Sequence, residues 1–238
     1  MRRYIDLIVS DITPSPAQVL ENQGMAGRRN IPSRITALLD SALELFKELA
    51  KPRGLMEDLA IQDFPAIYNG NGLNSAECPI PPIVAGADAI ALFAATMGPD
   101  LASKSSELFA KGGPALGFML DAVNSAAAEE LGRMMCLKFL EYLPAQLRES
   151  KELKAQYYCP GHCGWHLSGQ EKVFEVLRPG EIGITITPSW AMHPVKSISG
   201  ILIAAGIEVH RFRPNFPFCR NCKEAKCVSR LKLLESMN

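Results

Sequence analysis

The residues that could do chemistry lie in two short segments, and the first is YCPGHCGWHLSG, residues 158–169. Its four potential metal ligands are Cys159, His162, Cys163 and His166. Thiolate sulfur and imidazole nitrogen are the usual ligands of zinc, but the adjacent pair His162 and Cys163 cannot easily face one ion. The glycines allow the backbone to approach a ligand closely, and Trp165 could stack on one. The pattern therefore favours a small-molecule loop over a self-contained zinc site.

The second segment lies near the C-terminus and has the spacing Cys219-x2-Cys222-x4-Cys227. Two cysteines separated by two residues can bind one metal ion through a tight turn, and the third adds another thiolate. A tetrahedral zinc site or an iron–sulfur cluster needs a fourth ligand, which Cys163, Cys159 or a histidine could supply. The alternative interpretation is three unligated thiols.

Composition excludes several classes of function. Lys plus Arg number 25, and Asp plus Glu also number 25, so the formal net charge is zero. The charge balance therefore does not indicate a nucleic-acid or membrane partner. No apolar run approaches the roughly 20 residues that span a bilayer. Asp6 and Asp11 interrupt the N-terminal stretch where a signal peptide would be apolar, so we expect a cytoplasmic protein. Motifs of independent hydrolases and phosphoryl-transfer enzymes are also missing from the sequence.

The elements that must position these residues follow from hydrophobic periodicity. The predicted helices are 33–51, 99–111, 114–143 and a short one over 170–179. The predicted strands are 89–98, 182–186 and 198–204. Proline and glycine indicate that 63–86 is mostly loop, and a polar linker is expected over 148–156. Helices and strands are mixed without regular alternation, which predicts an α+β architecture.

Residues 114–212 contain several motifs in a particular order. They are Ala128-Glu129 on the long helix, Cys159-Pro160-Gly161-His162-Cys163, QEKVFEVL, Thr187-Pro188-Ser189-Trp190-Ala191-Met192-His193-Pro194, and Ser197-Ile198-Ser199-Gly200. In this order and spacing the segment resembles the reactivation domain of cobalamin-dependent methionine synthase. That family has an A-E pair, a loop R-P-A-P-G-Y-P, a short helix, T-E-S-x-A-M-x-P, and S-x-S-G before a strand.

The resemblance implies an α+β fold in which a twisted antiparallel sheet is flanked by long helices, with an N-terminal helical extension. On this basis we divide the chain into an N-terminal helical and loop extension (1–87), an activation-domain-like core (88–212) and a cysteine-rich tail (213–238).

The resemblance also implies that the chain binds S-adenosylmethionine. The residues that it assigns to the ligand are Glu129, Tyr157, Cys159, Pro160, Gly161, His162, Ser189 and His210. Tyr157 stands where the family has arginine, and His162 stands where the loop has tyrosine. Arginine binds carboxylates through paired hydrogen bonds, which tyrosine cannot replace, and Lys154 is an alternative source of charge.

The chain lacks a cobalamin signature and other methionine synthase modules, so the resemblance implies an accessory component of a methyltransferase. In this hypothesis it supports reductive methylation of cobalamin on a separate corrinoid protein, with flavodoxin or ferredoxin as a possible electron donor. Two alternatives remain open. The first is an electron-transfer partner that carries zinc or an iron–sulfur cluster at Cys219, Cys222, Cys227 and Cys163. The second is a corrinoid-protein-binding scaffold without ligand.

Overall fold

The computed structural model describes residues 1–25, 30–150, 152–210 and 216–220. The strands within these ranges are β1 (Arg2–Ile5), β2 (Arg53–Leu59), β3 (Ala89–Thr96), β4 (Lys154–Tyr158), β5 (Thr185–Ile186), β6 (Met192–His193) and β7 (Ile198–Ala205). The helices are α1 (Val9–Ile12), α2 (Pro16–Asn22), α3 (Ser33–Leu49), α4 (Phe64–Tyr68), α5 (Ile80–Ala85), α6 (Asp100–Ala110), α7 (Pro114–Tyr142), α8 (Ala145–Ser150), α9 (Gly169–Leu177) and α10 (Pro217–Arg220). Single 3-10 turns are formed by Ile61–Asp63, Gly70–Gly72, Pro179–Ile182 and Ile207–His210.

In the described part of the chain, five strands form an antiparallel sheet in the order β1-β2-β3-β7-β4. The strands β5 and β6 form a separate hairpin. Strand β4 pairs with β7 so that Tyr157 lies opposite Leu202 and Tyr158 lies opposite Ile201. Because the pair is antiparallel, the end of β4 and the start of β7 meet at one edge of the sheet.

The sheet has a hydrophobic core on each face. On one face Ala91 and Phe93 of β3 pack under α1, α2, α3, α6 and α7. On the other face Ile90 and Leu92 pack with α4, α5, α9 and the segment after β4. Because helices cover both faces, β3 reads as a continuous apolar run instead of an alternating one.

Helix α7 is the central helix of the first face and spans roughly 43 Å at 1.5 Å per residue. It contacts α1, α2, α3 and α6 as well as strands β3, β4 and β7. Its buried residues are Gly117, Met119, Leu120, Val123, Asn124, Ala126, Ala127, Leu131, Gly132, Met135, Cys136 and Phe139. The helix therefore connects the N-terminal helices to the edge of the sheet where β4 and β7 meet.

The α+β architecture is confirmed, as are the helices predicted near 33–51, 99–111 and 114–143. Other local predictions are wrong. The expected polar linker contains the end of α8 and the start of β4, and the strand expected over 182–186 is reduced to the two residues of β5. The segment expected to be mostly loop over 63–86 contains α4 and α5.

The N-terminal part contributes β1 and β2 to the sheet in addition to its helices. The domain boundaries at residues 87/88 and 212/213 stay predictions. None of the helices in the described ranges is long and apolar enough to cross a membrane.

Candidate functional site

The close approach of β4 to β7 depends on Gly200. This residue has a φ of +156°, and a Cβ built on it would lie 2.0 Å from the Tyr158 carbonyl oxygen and 3.0 Å from the Cys159 Cα. Any side chain here would collide with backbone. The glycine of the Ser197-Ile198-Ser199-Gly200 motif thus allows the segment that follows β4 to leave the sheet directly over β7.

Tyr157 points from β4 toward α7. A Cβ built on Gly132 would lie 2.5 Å from the Tyr157 Cε1, so the ring fills the space that a side chain on the helix would need. On its other side the ring meets Phe93 edge-on, with centroids 6.0 Å apart. Cys159, two residues on, packs into the same core cluster. The residues Tyr157 and Cys159 therefore face α7.

A polar stripe on α7 runs beside this contact. Ser125, Glu129 and Gly132 are spaced four and three residues apart, which places them on one face of the helix. Gly132 meets Tyr157 at one end, and at the other end the Ser125 hydroxyl lies 2.8 Å from the Lys196 Nζ. Glu129, which is partly buried, stands one helical turn, about 5.4 Å, from Ser125.

We call this group the α7–β4 junction. Its members are Ser125, Glu129, Gly132, Tyr157, Cys159 and Lys196.

The loop after β4 is folded on itself by backbone hydrogen bonds. The Gly161 N–H donates to the Trp165 carbonyl at 2.7 Å, and the Trp165 N–H donates to the His162 carbonyl at 2.9 Å. Gly161 has a φ of +93°, which glycine adopts without strain. Pro160 is buried, whereas Gly161 and His162 are exposed at the surface. The loop therefore presents a glycine and a histidine from a hydrogen-bonded turn.

Ser189 lies at the tip of the turn between β5 and β6. Its hydroxyl is 3.0 Å from the Thr187 Oγ1, and both side chains are exposed. The neighbouring Trp190 meets the His166 ring edge-on, with centroids 5.8 Å apart. The turn is thus placed beside the loop after β4.

His210 is on a different side of β4. It is fully buried, and its Nε2 lies 3.1 Å from the Lys154 carbonyl oxygen while its Nδ1 lies 3.3 Å from the Tyr158 hydroxyl. A carbonyl accepts hydrogen bonds and cannot donate them, so the proton is on Nε2. Burial lowers the pKa of His210, although the bond to the Lys154 carbonyl opposes this. The structure therefore separates His210 from the α7–β4 junction.

Trp165 is a core residue, and the expectation that it is available for stacking is wrong. It is 1% exposed and packs with Phe64 and Tyr68 on the second face of the sheet. A Cβ on Gly169 would lie 2.3 Å from its Nε1, so α9 begins directly against the indole. The glycines of this segment thus serve tight packing as well as the turn.

Lys154 does not occupy the side of β4 that faces α7. Successive side chains of a strand point to opposite faces, so Lys154 shares a face with Tyr158 and not with Tyr157. Its Nζ forms an ion pair with the Glu152 Oε1 at 2.8 Å. The structure therefore gives no support to Lys154 as a substitute for the arginine that Tyr157 replaces.

Cys219 lies close to the loop after β4. It is buried in α10 within the second core cluster, which Cys163 also contacts. Next to Cys219, the Phe218 ring would lie 3.1 Å from a Cβ on Gly164. Cys222 and Cys227 lie outside the described residues. Across the described ranges, no three His, Cys, Asp or Glu side chains are arranged to hold a metal ion.

Lys196 is a residue that sequence reasoning missed. It lies between the Ala191-Met192 and Ser197–Gly200 motifs, and its importance depends on contacts with α7 some 70 residues earlier. No local pattern predicts such a contact.

The fold and site define an α+β domain in which a long helix and a glycine-containing turn meet at a sheet edge. A crystal structure described as the MetH reactivation domain bound to AdoHcy has this fold, with a TM-score of 0.60 over 85% of this chain and 78% of that one. The sequences are 15% identical, so the likeness concerns the fold.

Residues 80–213 match the family model of the vitamin B12 dependent methionine synthase activation domain. The match covers more than half of the chain, which therefore belongs to this family. No curated protein sequence matches the chain.

Proposed function

We propose that this chain binds S-adenosylmethionine at the α7–β4 junction and supports reactivation of a corrinoid held by a separate protein. The observation that carries the proposal is that Gly132 of α7 meets Tyr157 and Gly200 of β7 meets the backbone of Tyr158 and Cys159, at the part of α7 that carries Glu129. Family membership and the AdoHcy found in the structurally similar domain support the same ligand class.

The residues of the junction suit such a ligand. A carboxylate at Glu129 attracts the ligand's ammonium and sulfonium charges, which lie within the same amino-acid moiety. The Gly161 N–H is already bonded to Trp165, so a ligand contact at this residue falls to its carbonyl. Pro160 and Cys159 shape the start of the loop, and His162 and Ser189 stand at its exposed rim. His210 acts in this proposal by holding β4 through Lys154 and Tyr158.

Isothermal titration with S-adenosylmethionine tests the ligand half of the proposal. We expect the unmodified protein to bind and Glu129→Ala to lose about tenfold or more in affinity, because one charged partner is removed. Glu141→Ala is the matched control, since Glu141 is exposed on the same helix and pairs with Lys138. No binding by a folded unmodified protein up to millimolar ligand would contradict the proposal and favour the ligand-free scaffold.

The partner in this proposal is a cobalamin-dependent methyltransferase component that works with this chain in the cytoplasm. After its reduction by one electron, the partner's corrinoid would supply the acceptor for the ligand's methyl group. Loss of the methyl group from the sulfonium would convert S-adenosylmethionine to S-adenosylhomocysteine. The electron comes from a donor of the flavodoxin or ferredoxin class. Mixing the chain, the ligand, a reductant and a candidate corrinoid protein, and following the corrinoid's visible spectrum, tests this half separately.

We also propose a second function for the C-terminal cysteines: zinc or an iron–sulfur cluster bound by Cys219, Cys222, Cys227 and Cys163. The supporting observation is that α10 packs Phe218 against Gly164, beside Cys163. We expect metal analysis after anaerobic purification to find metal that Cys222→Ser and Cys163→Ser lose. Cys159→Ser is the matched control and keeps the metal. Metal-free protein, or full occupancy in Cys163→Ser, would reject this assignment.

A further inference from the structure

Lys196 reaches from the segment before β7 to the polar stripe of α7. Its Nζ lies 2.8 Å from the Ser125 Oγ and 3.2 Å from the Asp121 Oδ1. The Lys196 side chain is 28% exposed and that of Asp121 is 48% exposed. The ammonium group is therefore partly withdrawn from water, yet its acidic partner is well solvated.

An ion pair of this kind adds little to stability, because solvent screens it and two long side chains must be ordered. It does, however, hold a positive charge in place one helical turn from Glu129. The Ser125 hydroxyl and the Asp121 carboxylate accept two hydrogen bonds from the ammonium, and because an ammonium has three donors, one is left for a ligand. Lys196 can thus bind a second anion without leaving α7.

S-adenosylmethionine has a carboxylate as well as an ammonium and a sulfonium, and Glu129 can serve the cationic groups alone. Tyr157, which packs between Gly132 and Phe93, has no charge for the carboxylate. Of the nearby cations in the described part of the chain, Lys154 is on the wrong face of β4 and is paired with Glu152. Arg133 is paired with Glu130 through a 2.6 Å contact, which is shorter than the 3.2 Å contact between Lys196 and Asp121.

We infer that Lys196 binds the ligand's carboxylate and takes over the charge that Tyr157 lacks. This inference rests on the proposed function, because it names the group that recognises one end of the same ligand. Glu129 of α7 and Lys196, which Ser125 holds at the neighbouring turn of α7, then bind the oppositely charged groups of the amino-acid moiety. A lysine offers a single point charge instead of a planar pair of donors, so it accommodates the carboxylate with less geometric restriction than arginine.

The test compares two ligands in two variants by isothermal titration. The ligands are S-adenosylmethionine and decarboxylated S-adenosylmethionine, which keeps the sulfonium and the amine. We expect Lys196→Met to weaken binding of the first about tenfold and to change binding of the second less than about twofold, because the lost partner is the carboxylate. Methionine keeps most of the apolar stem of lysine, so packing changes little.

Asp121→Asn distinguishes a Lys196 that binds the ligand from a Lys196 that only links the segment before β7 to α7. It breaks the same ion pair but keeps Lys196, so we expect it to leave S-adenosylmethionine affinity within about threefold or to improve it. Thermal unfolding of both variants shows whether each is folded.

The outcomes distinguish the two proposals. If the unmodified protein binds neither ligand, the proposed function fails and the role of Lys196 fails with it. If the unmodified protein binds, but Lys196→Met weakens both ligands equally or neither, the role of Lys196 alone is overturned. Equal losses in Asp121→Asn and Lys196→Met for S-adenosylmethionine would also overturn it and indicate that Lys196 only links the segment before β7 to α7.

Discussion

At the scale of single residues, His210 couples folding to pH. It is fully buried with its proton on Nε2, and burial lowers its pKa below the ordinary value of 6.5. The unfolded chain therefore binds a proton more readily than the folded chain as the pH falls through that range. Neutral His210 therefore stabilises the folded state fully at pH values above its ordinary pKa. This stabilisation is lost as the pH falls through the lower pKa that His210 has in the folded chain.

We expect the free energy of unfolding to be lower at about pH 5.5 than at about pH 7.5, and His210→Asn to reduce this difference. Urea denaturation at the two pH values measures it. His162→Asn is the control, because His162 is exposed at the surface and should leave the dependence unchanged. An unaltered pH dependence in His210→Asn would show that other groups cause it.

The individual site residues were only partly predictable from sequence. Tyr157 and Cys159 face α7 because side chains alternate along β4 and just beyond it, whereas the sequence predicts a polar linker over 148–156 and no strand there. Lys154 and Gln156 gave that segment a polar appearance, although Gln156 is buried. Lys196 could not be found, since its partners Asp121 and Ser125 lie on a distant helix.

At the scale of elements, the junction depends on how closely β4 approaches β7. Gly200→Ala would place a methyl group on the Tyr158 carbonyl, and backbone cannot move aside as a flexible side chain can. We expect a loss of about 3 kcal/mol or more in the free energy of unfolding. Chemical denaturation measures it.

Gly180→Ala is the matched control for Gly200→Ala. No heavy atom lies within 4 Å of a Cβ built on Gly180, so the change should alter stability by less than about 0.5 kcal/mol. Equal effects of the two substitutions would mean that the close approach of the strands does not limit the fold.

Elements with strong periodicity were predictable, and elements defined by their neighbours were not. The apolar run of β3 and the pattern of α7 identify a buried strand and a long helix from local sequence alone. β1 consists of four residues and β2 mixes charged with apolar residues, so each is a strand because it pairs within the sheet.

At the scale of the whole molecule, α7 connects parts of the chain that the sequence treats separately. It contacts α1, α2 and α3 of the N-terminal part, and it carries Glu129 about one turn from Gly132, which meets Tyr157 of β4. The Gln18 side chain of α2 also bonds the Glu130 carboxylate at 2.5 Å, one residue from Glu129. The N-terminal helices therefore support the same helix that carries the proposed ligand residue.

The positions of the two tryptophans have an optical consequence. Trp165 is enclosed in the core of the second face, whereas Trp190 stands partly exposed beside His166 on the loop after β4. Their fluorescence should therefore differ. We expect Trp165 to emit at shorter wavelength, and we expect Trp190 to be the one that aqueous quenchers reach. Intrinsic fluorescence can thus separate an event at the loop from loss of the core without an added label.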